Sequence, residues 1–267
     1  MAAFNSPTLN IMVKAAEKAA RSLRRDFGEV EHLQVSRKGP ADFVTAADKR
    51  SEKIIFEELQ AARPNYSFLM EEGGEVKGDD KDHVWIIDPL DGTHNFMHGI
   101  PHWAISIALE RKGEIIAGLV YDPIKDEMFM AEKGLGAFLQ KKRLRVSGRN
   151  QMELCSFATG YGGFDPANKK RFLLGLNSVI SVAPMVRRFG SAALDLAYVA
   201  AGRLDGYWEH NIQPWDVAAG VLIVKEAGGF ASAIDSNENP VYANQIVAAN
   251  AAMHNDLRAI VKNATAA

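Results

Sequence analysis

The stretch "WIIDPLDGTHNF", residues 85–96, ends an apolar run in two carboxylates, Asp88 and Asp91, three positions apart. Pro89 fixes its own φ and pushes Asp88 toward extended backbone, so it is expected to end the strand and turn the chain. Gly92 frees the backbone for a sharp turn, and Thr93 suits the opening of a helix. Both acids are thus expected at a strand C-terminus, beside the amides of Gly92 and Thr93 at a helix N-terminus. Such amides bind anions, phosphate above all.

Carboxylates beside a phosphate site repel the ligand unless a cation stands between them. Two unit charges ~4 Å apart cost about 4 kcal/mol at an effective dielectric near 20. Hard oxygen donors without Cys or His point to Mg²⁺. The plainer alternative makes Asp88 a strand-end cap and Asp91 a turn residue, and this segment alone leaves both readings open.

More acids lie outward from it. "FLMEE" ends a second apolar run in Glu71 and Glu72, "QPWDVAAG" puts Asp216 in the first turn of an apolar helix, and "DFVTAAD" puts Asp48 at the start of another. Taken singly, Asp216 and Asp48 read as ordinary acids stabilised by a helix N-terminus.

The rest of the chain bounds the answer. Of 267 residues, 47% are hydrophobic and 24% charged, and the net charge of −2 provides no field to recruit nucleic acid or an anionic membrane. Cys155 is the single cysteine, read as a small core residue in a reducing compartment. No apolar run approaches the ~20 residues of a membrane span. The N-terminal "TLNIMVKAAEKAARSLRRDFG" lacks the apolar core of a secretory signal. Its basic amphipathic pattern could suit a transit peptide, but Glu17, Asp26 and the Ser6-Pro7 start signal favour a first helix of the domain. The expected compartment is the cytoplasm.

Helical spacing covers residues 7–27 and about 46–62, followed by strands "SFLME" and "HVWIID". Between Trp103 and Leu144, four strand-like runs separated by Lys-Gly and Asp-Pro turns read as an antiparallel meander. After Arg149, strands "CSFATG", "PMVRRF", "LDGYWE" and "QIVAAN" alternate with helices. The expectation is an α+β half, residues 1–147, and an α/β half, residues 148–267, meeting near residues 145–152 and packed as one unit.

"GPADFVTAAD", "FLMEE", "WIIDPLDGTHNF", "RRFGSAALDLAYVAAGRLDGYWE" and "QPWDVAAGVLIVKEAGG", in this order, resemble the inositol monophosphatase family, close to its bacterial members. The resemblance runs from about residue 7 to residue 262. It implies a sandwich of alternating helix and sheet layers, a homodimer, and a lithium-sensitive, Mg²⁺-dependent phosphomonoesterase acting on myo-inositol monophosphate.

Carried onto this chain, the resemblance assigns one Mg²⁺ to Glu71, Asp88 and the backbone carbonyl of Leu90. It assigns a second to Asp88, Asp91 and Asp216, and a third, weaker ion near Glu71. Thr93, supported by Asp48, would orient the attacking water, and the amides of Gly92 and Thr93 would hold the phosphate. Asp91, Glu209, Asp216, Gly190, Ser191 and Ala192 would line the alcohol side. Of Arg187 and Arg188 just upstream, one, assigned as Arg187, could reach the substrate, with a salt bridge at a subunit interface as the alternative. Relatives acting on histidinol phosphate, 3′-phosphoadenosine 5′-phosphate or fructose 1,6-bisphosphate share the metal ligands, so these remain alternatives. Some bacterial members also bind the transcription machinery, which implies a binding role of another class.

His94 stands where many relatives have Thr. With His98 and His102 it has zinc-like spacing, but Pro101 should break the helix first, and solvated histidines are the preferred reading. "GYGGF", 160–164, lacks P-loop and dinucleotide spacing and reads as a mobile loop. "KKRLRV" reads as a solvated strand face, and Trp208 and Trp215 as walls of the site.

Overall fold

The computed structural model describes residues 6–29, 35–39, 42–162 and 166–266. Helix α1 (Pro7–Phe27) starts where Ser6 Oγ accepts a hydrogen bond from the Leu9 amide and Pro7 takes the first helical position. A short antiparallel ribbon follows, β1 (Val35–Gly39) with β2 (Asp42–Thr45), then α2 (Ala46–Ala62). The next elements are β3 (Ser67–Met70), β4 (Gly74–Val76), β5 (His83–Asp91) and α3 (Thr93–Met97). The meander consists of β6 (Ala104–Arg111), β7 (Glu114–Asp122), β8 (Glu127–Glu132), β9 (Gly136–Leu139) and the two-residue β10 (Lys142–Arg143). Together these strands form an eight-stranded sheet, β10-β9-β8-β7-β6-β5-β3-β4, antiparallel except for β3 beside β5.

Beyond Leu144 come β11 (Ser156–Thr159), α4 (Pro166–Ile180), β12 (Met185–Arg187), α5 (Ala192–Ala200) and β13 (Gly206–His210). Then follow α6 (Pro214–Glu226), β14 (Phe230–Ser232), β15 (Gln245–Ala249) and α7 (His254–Ala266). The five strands order as β12-β11-β13-β15-β14. Gly163 and Phe164 of the Gly-rich stretch lie outside the described residues.

The period-two alternation of each strand builds the layers. Trp85 and Ile87 face α1 and α2, whereas Ile86 between them faces α5 and α6. On the smaller sheet Tyr207 and Ala158 face α5 and α6, and Phe157 and Trp208 face α4 and α7. The result is helix, sheet, helix, sheet, helix, with α5 and α6 at the centre. Gly118 of β7 lets α6 approach closely: a Cβ there would stand 2.9 Å from the Ala219 carbonyl oxygen. Among the described residues no helix is long and apolar enough to cross a membrane.

Two sequence expectations need correction. Pro89 does not end its strand: β5 runs on to Asp91 through a register shift, because a residue without an N–H fits where the ladder is interrupted. Trp208 does not wall the site. It is 1% exposed and packs among α4 and α7, because alternation turns it away from its neighbour Glu209.

Candidate active site

Asp88 pairs with Ser106 across the sheet, and Asp91 pairs with Ala104. Three steps on β5 thus match two on β6. The extra residue returns Asp91 to the face that carries Asp88 and Ile86, the face covered by α5 and α6. Met70 faces α1 and α2, so Glu71, next along the chain and bonded through its amide to the Ile87 carbonyl, follows on the opposite side, level with Asp88.

Helix α6 supplies the third acid. Ser106 Oγ donates to the Trp215 carbonyl at 3.1 Å, fixing the start of α6 over the strand that pairs with β5. Asp216 then faces the pair and accepts from the Gln213 amide at 2.8 Å. Carboxylate oxygens of Asp88, Asp91 and Asp216 lie within 4.8 Å of one another. This is the metal-like group found among the described residues; Glu71 borders it but is not part of that tight set.

Burial first, then the charges of Glu71, Asp91 and Asp216, push Asp88 well above the ordinary carboxylate range. Burial, then the Asp91 charge, does the same to Asp216. Asp91 is pushed up to about 6 by burial, against donors that pull it down: Ser191 Oγ at 2.5 Å and the Ala193 amide at 2.8 Å. Carboxylates this crowded fit a divalent cation, whose charge would remove this repulsion.

The α2 side buttresses the same corner. Thr93 Oγ1 lies 3.0 Å from both Asp48 Oδ1 and the Leu90 carbonyl, and can donate to either. Asp48 caps α2, accepting from the Thr45 amide at 2.9 Å and from the Thr45 hydroxyl, and burial raises its pKa. Gly92 adopts φ +92°, and a Cβ there would meet the His102 and Gly190 carbonyl oxygens at 3.1 and 3.2 Å. Its amide is among the groups holding the Asp91 carboxylate.

The acids open onto a cavity of about 510 Å³. Gly190, Ser191 and Ala192 at the start of α5 line it, as does Glu209 of β13. Burial pushes Glu209 up to about 7, and Tyr207 donates to it at 2.5 Å. The cavity is lined by Arg188 rather than Arg187, which lies exposed on the edge strand β12. His94 and His98 stack at the cavity lip with ring centroids 5.6 Å apart. His102 packs instead against Phe189 and Tyr198, so the three rings do not converge. The helix stops at Met97, before Pro101 is reached.

Gly160 and Asp195 are among the cavity residues that the sequence reading did not assign to the site. Gly160 lies so close to Glu209 that a Cβ would fall 1.8 Å from Oε2. Asp195, a carboxylate within the otherwise apolar run "AALDLAYVAA", is 1% exposed and lines the cavity. A charged residue in such a run was the available signal.

The model of the Inositol monophosphatase family matches residues 5–266. An Inositol-1-monophosphatase of Mesorhizobium japonicum is 52% identical over 96% of this chain and 97% of its own. The Nus factor SuhB of Escherichia coli is 41% identical over 91% of each chain. The crystal structure of the extragenic suppressor protein suhB from Bartonella henselae superposes with a TM-score of 0.92 at 53% identity, covering 96% of this chain and 99% of that one. With layers, bulge and acids arranged as described, the chain belongs to the inositol monophosphatase family.

Proposed function

We propose that the protein is a Mg²⁺-dependent phosphomonoesterase that hydrolyses myo-inositol monophosphate in the cytoplasm. The observation that carries this reading is the convergence of Asp88, Asp91 and Asp216 oxygens within 4.8 Å, at one end of a cavity large enough for a phosphorylated polyol. The full-length similarity to the Mesorhizobium Inositol-1-monophosphatase supports the substrate.

In this reading Asp88, Asp91 and Asp216 hold one ion, and Glu71, Asp88 and the Leu90 carbonyl a second, with a third near Glu71. When bound, divalent ions supply Lewis-acid polarisation of the phosphoryl group and a more acidic water. Thr93 would orient the nucleophilic water, taking up a proton from it as the Thr93 hydroxyl proton passes to Asp48, the acceptor 3.0 Å away. The start of α3 receives the phosphate, with the Gly92 amide shared between that role and Asp91. Asp91, Glu209, Arg188 and the Gly190–Ala192 turn orient the alcohol half.

A phosphate-release panel tests the reading: inositol 1-phosphate, histidinol phosphate, 3′-phosphoadenosine 5′-phosphate and fructose 1,6-bisphosphate, each with Mg²⁺ and with chelator. Inositol 1-phosphate is expected to turn over fastest, only with Mg²⁺, and with inhibition by lithium. Preferred turnover of another ester overturns the substrate assignment, and undiminished turnover in chelator overturns the metal.

We further propose a homodimer, supported by the open edge of β12 and the exposed apolar Ile180, Val182 and Met185 beside it. Sedimentation of a monomer at micromolar concentration would count against it. The Nus factor name of the Escherichia coli relative supports a second role, as a partner of the transcription machinery. A cellular phenotype that survives Asp88→Asn would assign the phenotype to that role.

A further inference from the structure

Asp195 is placed unlike an ordinary acid of a helix first turn. It sits in α5 between Leu194 and Leu196, both of which pack in the central core, and it is 1% exposed. Its Oδ1 has no hydrogen-bond partner among the described residues. The charges it feels are those of Glu209 and Asp91, both acidic. Helix-dipole stabilisation explains acids at an exposed first turn, but it gives no reason to bury one beside two others.

Chemistry narrows what such a group can serve. Burial, then those two neighbouring charges, push Asp195 well above the ordinary carboxylate range, and a carboxyl group in either protonation state can accept a hydrogen bond from a hydroxyl. A buried carboxyl oxygen left without a partner is costly, and Asp195 is among the residues that line the cavity. Glu209, whose charge Asp195 feels, already accepts from Tyr207 on one oxygen. A ligand rich in hydroxyl groups can donate to and accept from both acids. An aryl or alkyl group can do neither.

We propose that Asp195 is a further specificity-determining residue of this cavity, hydrogen-bonding a hydroxyl of the polyol half of the substrate. This deepens the phosphomonoesterase reading and rests on it. The cavity lining then reads hydroxyls through two carboxyl groups, Glu209 from β13 and Asp195 from α5.

The test compares wild type, Asp195→Ala and Asp195→Asn on two esters. One is the polyol phosphate that wild type hydrolyses fastest; the other is p-nitrophenyl phosphate, which presents a phosphate without hydroxyls. Asp195→Ala is expected to raise KM for the polyol ester about five- to tenfold, the worth of one neutral hydrogen bond. Its kcat, and both constants for the aryl ester, should stay within about twofold. Asp195→Asn, with the same shape and both hydrogen-bonding functions, should return KM to within about twofold of wild type. Equal losses on both esters, no change on either, or an Asn variant as impaired as the Ala variant would overturn the proposal.

Should Asp195→Ala not fold, Asp195→Ser takes its place, since it shortens the side chain beyond reach of the ligand while keeping a hydroxyl. An unchanged polyol KM in Asp195→Ser overturns the proposal equally. Because wild type chooses the polyol ester, failure of inositol 1-phosphate as a substrate counts against the inositol assignment alone. Turnover of the aryl ester and of no polyol ester would overturn both.

Discussion

Asp88 and Asp91 lie on one face of β5 although three residues apart, because the strand carries one extra residue between their partners Ser106 and Ala104. In a regular strand that spacing would put the two carboxylates on opposite faces. The bulge turns a sequence motif into a shared site, and Pro89 lies within it.

If that site exists to hold divalent ions, Asp88→Asn should lower Mg²⁺-dependent phosphate release about a hundredfold or more. The same change removes a buried charge from a repulsive group. Melting without metal should therefore rise, while the stabilisation by added Mg²⁺ shrinks. Thermal melts with and without 10-fold steps of Mg²⁺ would show both effects. A mutant that keeps its activity, or the full metal-induced shift, would remove Asp88 from the metal site.

Thr93 and Asp48 are joined by a hydrogen bond across 45 residues of sequence. Thr93→Ala should cost about 10²–10⁴ in kcat with little change in KM, the usual range for proton-transfer assistance. Thr93→Ser should restore most of the rate. A rise in KM alone would make Thr93 a binding residue rather than a partner of the nucleophile.

Burial raises Asp91 to about 6, and burial with the Asp91 charge raises Glu209 to about 7. Because these folded values exceed the unfolded ones, 3.8 and 4.5, their stabilising effect is full below about pH 4 and is lost as pH rises through 6 to 7. For Asp91 the shift corresponds to about 3 kcal/mol at most, or roughly 6–12 °C in Tm. Melts of metal-free protein should fall between pH 5 and pH 8, and saturating Mg²⁺ should flatten that fall. A fall of the same size with Mg²⁺ would detach it from the carboxylates.

Gly160 allows Glu209 to sit where it does, since a Cβ would occupy the place of its Oε2. Gly160→Ala should displace the carboxylate and raise KM for a polyol phosphate about tenfold, leaving p-nitrophenyl phosphate unaffected. Circular dichroism should report an unchanged fold. An unaltered polyol KM would mean that Glu209 does not touch the alcohol.

Along α6, three residues beyond Asp216, the limit is steric. Gly118→Ala places a methyl 2.9 Å from the Ala219 carbonyl oxygen, backbone against backbone, and should destabilise by about 1–3 kcal/mol. Because α6 carries Asp216, the shift should also weaken Mg²⁺ binding. Denaturant melts and a Mg²⁺ titration of activity measure the two effects.

The amino-acid sequence by itself determined the local elements and the acids. Periodicity and caps located α1, α2 and the meander, and the spacing around Pro89 and Pro214 marked Asp88, Asp91 and Asp216 as a group of interest. These are short-range properties of the backbone, legible wherever a residue's neighbours in the chain are also its neighbours in space. Direction across the layers was decided only in the folded protein. Trp208 turned into the core and Glu209 into the cavity, Arg188 rather than Arg187 reached the wall, and Asp195 became a buried acid facing two others. The physical reason is that side-chain direction follows from strand register and layer packing. A one-residue bulge or a helix laid over a sheet reverses which side a residue faces, and the elements that impose this lie a hundred residues away in the chain.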